Sequence, residues 1–186
     1  MVVLDEKTVT GVKPFLEGIR QITAGSAMAI TFRPKKLADE LIQWHRKKYA
    51  WHHNDTVRSY TQMTLRKRGN RGKRTDFAYY NRAMVYFGYD QFDAHRRQPN
   101  KLVCFWDPSN EGDYVGEHNP CLVLVRYKEQ NGKLNMTVVF RKRDVLKRMI
   151  GNWVMLCMWL NNEATIRKMK VGTITDFSMD TITEDV

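Results

Sequence analysis

The stretch Pro120–Asn152, PCLVLVRYKEQNGKLNMTVVFRKRDVLKRMIGN, decides the predicted fold. Residues 121–128 are mostly apolar and β-branched, and Asn131-Gly132 supplies the positive φ angles of a tight hairpin turn. After the turn, apolar side chains alternate with mostly polar ones as far as Arg141, which is the period-2 pattern of a strand. The stretch therefore predicts an antiparallel hairpin that begins at Cys121 and ends at Arg141.

The two ends of this hairpin carry a thiol and a guanidinium, which antiparallel pairing around a short turn brings close together. A nearby cation favours the thiolate form of a cysteine, so Cys121 beside Arg141 is a candidate nucleophile. The alternative is a buried structural cysteine beside a surface arginine, which agrees with the usual burial of cysteine. The hairpin pattern alone leaves both interpretations open.

Further residues stand at fixed spacings from the hairpin. Pro120-Cys121 precedes the first strand, Asn-Gly-Lys-Leu forms the turn, and Arg141-x-x-Asp144 is followed by Asn152. These co-ordinated spacings resemble the core of the thymidylate synthase family, which includes the deoxycytidylate and deoxyuridylate hydroxymethylases. The resemblance implies an α/β (α+β) fold in which a mixed, mainly antiparallel sheet packs on a long buried helix.

The resemblance also implies a reaction and a role for each matched residue. In the family a cysteine adds at C6 of a pyrimidine nucleotide, and C5 then attacks a one-carbon donor. Cys121 is thus the predicted nucleophile, and Arg141 the phosphate ligand and thiolate stabiliser. Asn152 is the residue predicted to recognise the base. In the family an Asn at this position accompanies a uracil substrate, so Asn152 favours a dUMP-like substrate. Asp144 is a predicted polar anchor for folate, with 5,10-methylenetetrahydrofolate as the implied cofactor. The sequence itself offers no convincing set of metal ligands, so no metal is expected.

Two earlier segments also resemble the family. Glu40-Leu41-Ile42 occupies the place of a family glutamate that organises proton transfers at the pyrimidine, although a solvated helix charge is the alternative. Trp106-Asp107-Pro108 resembles the family's Trp-Asn-Pro, which follows two arginines that reach the partner subunit's substrate phosphate. Arg96 and Arg97 are the candidates for that pair, a few residues earlier than in the family. The resemblance therefore implies a homodimer.

The chain departs from the family pattern at several positions. Leu122 replaces the His that usually follows the cysteine, and Lys142 replaces the Ser that follows the arginine. Ile182 and Glu184 stand where the family's ribose motif has His and Tyr, and the family segment that closes over folate is not recognised. Methyl transfer needs water excluded, so it is expected to suffer more from these changes than hydroxymethyl transfer.

The charge of the chain points to an anionic partner. Lys and Arg number 31 against 20 Asp and Glu, a net charge of +11, which suits phosphate. Residues 65–75 form a basic loop with glycines, suited to phosphate or nucleic acid or else merely solvated. Its candidate contacts are Arg66, Lys67, Arg68, Arg71, Lys73 and Arg74. The alternative function is thus a catalytically degenerate scaffold that binds nucleic acid or another acidic partner through its basic surface.

Length and composition predict a single domain over residues 1–186, because 42% of the residues are hydrophobic, enough for a sizeable core. Three cysteines without CxxC spacing indicate reduced thiols rather than a disulfide framework. No apolar run is long enough for a membrane span and no signal-peptide layout is seen, so a cytoplasmic protein without a membrane partner is expected.

Periodicity predicts the remaining elements. Helices are expected at Pro14–Thr23, at about 34–49, at Phe77–Gln98 and at Asp144–Asn162, and strands at Ser26–Phe32 and Leu102–Trp106. The last helix is apolar almost throughout, which predicts burial on all sides.

Overall fold

The structure, a computed structural model, describes most of the two ends of the chain and its central hairpin. The described residues are 1–5, 9, 11–34, 40, 43–44, 47, 79, 82–83, 88–98, 100–106, 120–145 and 149–182. The basic loop at 65–75 lies outside them, as do most of the predicted helix at 34–49 and much of the one at Phe77–Gln98.

The strands form one mixed sheet and a small ribbon. In chain order they are β1 Val2–Leu4, β2 Met28–Phe32, β3 Val103–Cys104, β4 Leu122–Gln130, β5 Lys133–Phe140, β6 Arg143–Asp144, β7 Lys170–Ser178 and β8 Thr181–Ile182. The six-stranded sheet has the order β1-β2-β7-β5-β4-β3, and β6 pairs with β8. Within the sheet β1–β2 and β5–β7 are parallel, and the other pairs are antiparallel. The predicted mixed α/β fold with a mainly antiparallel sheet is confirmed.

The central hairpin is formed by β4 and β5, as predicted. Asn131 and Gly132 have φ angles of 52° and 69°, the left-handed conformation that a two-residue hairpin turn requires. Gln130 pairs directly with Lys133 across this turn. Local turn chemistry and the period-2 pattern together set the register of the hairpin from the turn as far as Leu124 and Val139.

Three helices cover one face of the sheet within the described residues: α1 Val12–Ile19, α2 Gln91–Arg97 and α3 Met149–Ile166. α1 meets α3 where the rings of Phe15 and Trp153 lie 4.9 Å apart, and α2 meets α3 where Phe92 and Trp159 lie 5.5 Å apart. Buried side chains of β2, β4, β5 and β7 complete this core. None of the described helices has the length and apolar character needed to cross a membrane.

Helix α3 differs from its prediction in three respects: its start, its burial, and its end at Ile166 rather than at Asn162. It begins at Met149 rather than at Asp144, because Arg143 and Asp144 pair with Thr181 and Ile182 in the β6–β8 ribbon. Its last two turns are also not buried on all sides, since residues 161, 162, 165 and 166 are exposed. Polar Asn and Thr side chains face solvent there, although the composition of the helix as a whole is apolar.

The opposite face of the sheet changes character along the strands. Near the end that carries Cys121, a cross-strand row of half-buried apolar side chains runs through Ala29, Phe177, Val139 and Leu124. At the other end, around the hairpin turn, the paired residues are Gln130, Lys133 and Lys170, and all are exposed. One end of this face is therefore apolar and the other is basic.

Candidate active site

Cys121 and Arg141 lie opposite each other where the hairpin opens. The backbone N–H of Arg141 donates to the carbonyl oxygen of Cys121 at 2.7 Å, which extends the β4–β5 ladder by one pair. Cys121 is half-buried against the core and Arg141 is exposed. The structure thus brings together the two residues that the sequence placed at the ends of the hairpin.

A β-bulge follows the cysteine. Leu122 pairs with Phe140 but Leu124 pairs with Val139, so Val123 is an extra residue in β4. Bulges bend a strand and re-aim the neighbouring side chains, and they are frequent beside active sites. The uninterrupted apolar run of β4 gives no sign of this irregularity in the sequence.

Tyr79 supports the bulge. Its hydroxyl accepts a hydrogen bond from the backbone N–H of Leu122 at 3.4 Å, and its ring meets Phe105 edge-on at 5.8 Å. Its contact with the residue that follows the cysteine is a long-range feature without a local signal.

The guanidinium of Arg141 lies over the indole of Trp106, 5.3 Å from the ring centre. A cation–π contact of this kind holds an exposed arginine in place at modest energy, about 0.5–1 kcal/mol. Trp106 belongs to the Trp-Asp-Pro segment, so the structure connects that segment to the arginine of the hairpin.

Asp144 and Asn152 lie on neighbouring elements. Asp144 is half-buried in β6 and pairs with Ile182. Asn152 lies in the first turn of α3 and is only 5% exposed, and its side-chain oxygen Oδ1 has no hydrogen-bond partner among the described residues. A buried acceptor without a donor is costly, which makes Asn152 a candidate for contact with a ligand N–H group.

A buried ionic network connects the elements that carry these two residues. The guanidinium of Arg143 contacts the carboxylate of Asp176, which also accepts a hydrogen bond from the indole N–H of Trp153 at 2.6 Å. Arg143 is adjacent to Asp144 in β6, and Trp153 is adjacent to Asn152 in α3. The network therefore fixes β6, β7 and α3 relative to one another. The sequence does not predict this network, and the only available signal is an aspartate within an otherwise strand-like segment.

Glu40 lies at the start of α1. Its Oε2 accepts a hydrogen bond from the backbone N–H of Val12 at 3.1 Å, where the N-cap residue Gly11 offers no side chain of its own. A carboxylate at this position satisfies a free helix N–H and interacts favourably with the helix dipole. The structure thus gives Glu40 a capping contact, in addition to the role implied by the family resemblance.

The two arginines of α2 have different surroundings. Arg96 makes several hydrogen bonds to the buried carboxylate of Glu163 on α3, with a closest N–O distance of 3.2 Å. Arg97 is 73% exposed and pairs with Asp93 at 2.8 Å. Arg96 is therefore held within its own chain, whereas Arg97 points into solvent.

We find no second candidate nucleophile or metal site in the described part of the chain. Burial raises the pKa of Cys104, which keeps that thiol protonated. No group of three or more His, Cys, Asp or Glu side chains could hold a metal ion among the described residues.

The chain is similar in sequence to two proteins that are named for thymidylate synthase. The chain is 32% identical over 110 residues to a protein of Methanothermobacter thermautotrophicus named "Putative thymidylate synthase". It is also 32% identical over 112 residues to the protein of the same name from Methanothermobacter marburgensis. These matches confirm the predicted resemblance to the thymidylate synthase family. At 32% identity the resemblance is a divergent one.

Both matches are partial. They cover 55% of this chain, and 49% and 48% of the two relatives. The chain therefore spans about half the length of the curated relatives that it matches. No protein-family model matches the chain.

Proposed function

We propose that the protein is a thymidylate synthase-like transferase that moves a one-carbon unit to C5 of a pyrimidine nucleotide. The observation that carries this proposal is the pairing of Cys121 with Arg141 at the open end of the hairpin. The similarity to two proteins named for thymidylate synthase supports it. Whether the product carries a methyl or a hydroxymethyl group depends on how well water is excluded from the site.

In this proposal the sulfur of Cys121 forms a bond to C6 of the pyrimidine. The π electrons of the C5–C6 bond move onto C5 and the C4 carbonyl, and C5 becomes the nucleophile. Arg141 binds the phosphate, because a planar guanidinium can donate two parallel hydrogen bonds to phosphate oxygens. Arg97, exposed on α2, is the better-placed of the two arginines proposed to reach a partner subunit's phosphate.

Asn152 is proposed to read the base. An amide offers one acceptor and one donor, which match N3–H and O4 of uracil. The buried Oδ1 of Asn152, which lacks a partner among the described residues, supports this assignment because N3–H would supply the missing donor. Neutral cytosine has no N3–H, so a dUMP-like substrate is favoured. Glu40 is proposed to organise the accompanying proton transfers.

The implied cofactor is 5,10-methylenetetrahydrofolate, which supplies the one-carbon unit when bound. Asp144 fits the role of a folate anchor, because its carboxylate is half-buried in β6 and can accept hydrogen bonds from N–H groups. The β6–β8 pairing and the adjacent Arg143–Asp176 contact hold this strand in place. Isothermal titration of folate against the wild type and Asp144→Ala tests the contact without turnover; equal affinities would exclude it.

We further propose a homodimer that forms through the face of the sheet opposite the helices. The half-buried apolar row of Ala29, Phe177, Val139 and Leu124 supports this, since such a row is better covered than left in water. Phe177→Lys should convert the dimer to a monomer in light-scattering chromatography, because a charge would then be buried at the interface. An unchanged mass would count against this interface.

The transferase proposal is tested with Cys121→Ala. The wild type should release tritium from [5-³H]dUMP in the presence of methylenetetrahydrofolate, and Cys121→Ala should lose this activity by at least about 10³-fold, as expected for removal of a nucleophile. Cys104→Ala is the matched control and should retain activity. A wild type that is inert with every pyrimidine nucleotide would overturn the proposal and favour a degenerate scaffold that binds nucleic acid.

A further inference from the structure

A pocket of about 450 Å³ lies at the turn end of the hairpin, far from Cys121. Its described lining comes from β4, β5, β7, the hairpin turn and the segment after β2, and it includes Arg33, Gln130, Lys133, Asn135, Gly172 and Thr173. Strand β4 separates this end from the cysteine, and its nine residues span roughly 30 Å at about 3.3 Å per residue. The pocket is therefore distinct from the candidate active site.

Two exposed lysines place positive charge at this end of the sheet. Lys133 and Lys170 are direct cross-strand partners in the parallel β5–β7 pair, and both are exposed. Like charges placed opposite each other destabilise a sheet unless an anion compensates them. No ion pair joins either lysine to a carboxylate within the described part of the chain, and none of the described lining residues is acidic.

The pocket wall also contains a fixed polar side chain. Oδ1 of Asn135 accepts hydrogen bonds from the backbone N–H of Thr173 at 2.9 Å and from the Thr173 hydroxyl at 3.3 Å. Gly172 makes this approach possible, because a Cβ there would lie 2.0 Å from the same oxygen. With Oδ1 engaged in this way, the NH₂ group of Asn135 is the part of the side chain left to donate to a ligand.

We propose that this pocket binds phosphoryl groups through Arg33, Lys133 and Asn135, with Lys170 adding charge at its rim. Guanidinium, ammonium and amide donors together match the acceptor oxygens of phosphate. No aromatic ring lies among the described lining residues, so the pocket offers phosphate recognition rather than base stacking. The phosphoryl group comes either from the backbone of a single-stranded nucleic acid or from a free polyphosphate. The proposal does not depend on the transferase function.

The test compares two charge-matched double variants with two probes. Binding of a fluorescein-labelled oligothymidylate is measured by anisotropy, and binding of inorganic pyrophosphate by isothermal titration calorimetry. Arg33→Ala/Lys133→Ala removes one arginine and one lysine from the pocket. Lys13→Ala/Arg20→Ala removes the same charges from an exposed position of α1 and from its C-cap, and α1 packs on the other face of the sheet.

The pocket variant should weaken binding by about tenfold or more, as expected for lost charge-assisted hydrogen bonds, and the α1 variant by less than about twofold. Asn135→Ala, which leaves the net charge unchanged, should also weaken binding. A loss for the oligothymidylate alone identifies the phosphodiester backbone as the ligand, and a loss for pyrophosphate as well identifies free polyphosphates. Equal losses in the two double variants, or no binding of either probe to the wild type, would overturn the proposal.

Discussion

Arg143 contacts Asp176 in the interior, where the two side chains are only 1% and 0% exposed. The guanidinium also lies over the ring of Phe140, with its central carbon 3.3 Å from the ring centre, and its Nε and Nη1 have no hydrogen-bond partner among the described residues. Asp176 is thus the main compensation for a buried cation. A buried ion pair adds little stability relative to two well-packed apolar residues in its place. Removing only one of the two partners is nevertheless costly, because the other charge stays buried without compensation.

Asp176→Ala should lower the free energy of unfolding by about 3–5 kcal/mol, because it leaves Arg143 buried without its counter-charge. Urea unfolding followed by tryptophan fluorescence measures the loss. The double variant Arg143→Met/Asp176→Leu is the control and should recover most of the stability, since it removes both charges together. A loss below about 1 kcal/mol in Asp176→Ala would contradict a paired interior charge.

His95 should make stability depend on pH. Its ring is fully buried between α2 and β4, and its Nε2 accepts a hydrogen bond from the backbone N–H of Tyr127 at 3.2 Å. Burial, together with the positive charge of Arg167, lowers the pKa of His95 below its usual value of 6.5, while Glu163 opposes the shift. The unfolded chain therefore takes up a proton at a higher pH than the folded chain does.

The stability that His95 contributes is fully present above about pH 6.5 and is lost as the pH falls through the lowered folded pKa. Urea midpoints of the wild type should decrease from about pH 7 to about pH 5 more steeply than those of His95→Gln. Glutamine keeps an acceptor for the Tyr127 N–H but does not titrate in this range. Equal slopes for the two proteins would show that His95 is not the group responsible.

The hairpin could be predicted from the sequence because its signals are local. Asn131-Gly132 fixes the turn, and the alternation that follows fixes which side chains of β5 are buried. The β6–β8 ribbon could not be predicted, because Arg143-Asp144 pairs with residues far along the chain. Without that pairing, the apolar run after Asp144 gave a helix that began too early.

The candidate site was predictable only where its residues lie on the hairpin. A single short turn brings Cys121 and Arg141 close together, so their proximity follows from local sequence, whereas the bulge at Val123 decides that they lie directly opposite each other. The Arg143–Asp176 contact depends on tertiary packing between separate strands. Arg143 lies in a run of basic residues, which is typical of an exposed segment. Its burial follows only from the position of β7, the strand that carries Asp176.

The two arginines of α2 should behave differently when replaced. Arg96→Ala should lower the free energy of unfolding by about 1–3 kcal/mol, because the buried Glu163 loses several charge-assisted hydrogen bonds. Arg97→Ala should change it by less than about 0.5 kcal/mol, as for an exposed ion pair. If Arg97 reaches a partner subunit's substrate, Arg97→Ala should instead raise KM for dUMP. A loss of stability in Arg97→Ala equal to that in Arg96→Ala would contradict the different contacts of the two residues.

Asn152→Asp should shift the preferred nucleotide from dUMP towards dCMP. The wild-type amide can accept from uracil N3–H through its Oδ1, which lacks a partner among the described residues, and can donate to O4. A carboxylate can instead accept from the N4 amino group of cytosine. The expected change is a decrease in kcat/KM for dUMP of at least about 10²-fold, because a site built for hydrogen bonds rejects a ligand that leaves them unmade.

Asn162→Asp, an exposed change on the same helix, is the control and should leave the ratio of dUMP to dCMP turnover unchanged. A ratio that is unaltered in Asn152→Asp as well would exclude Asn152 as the base reader.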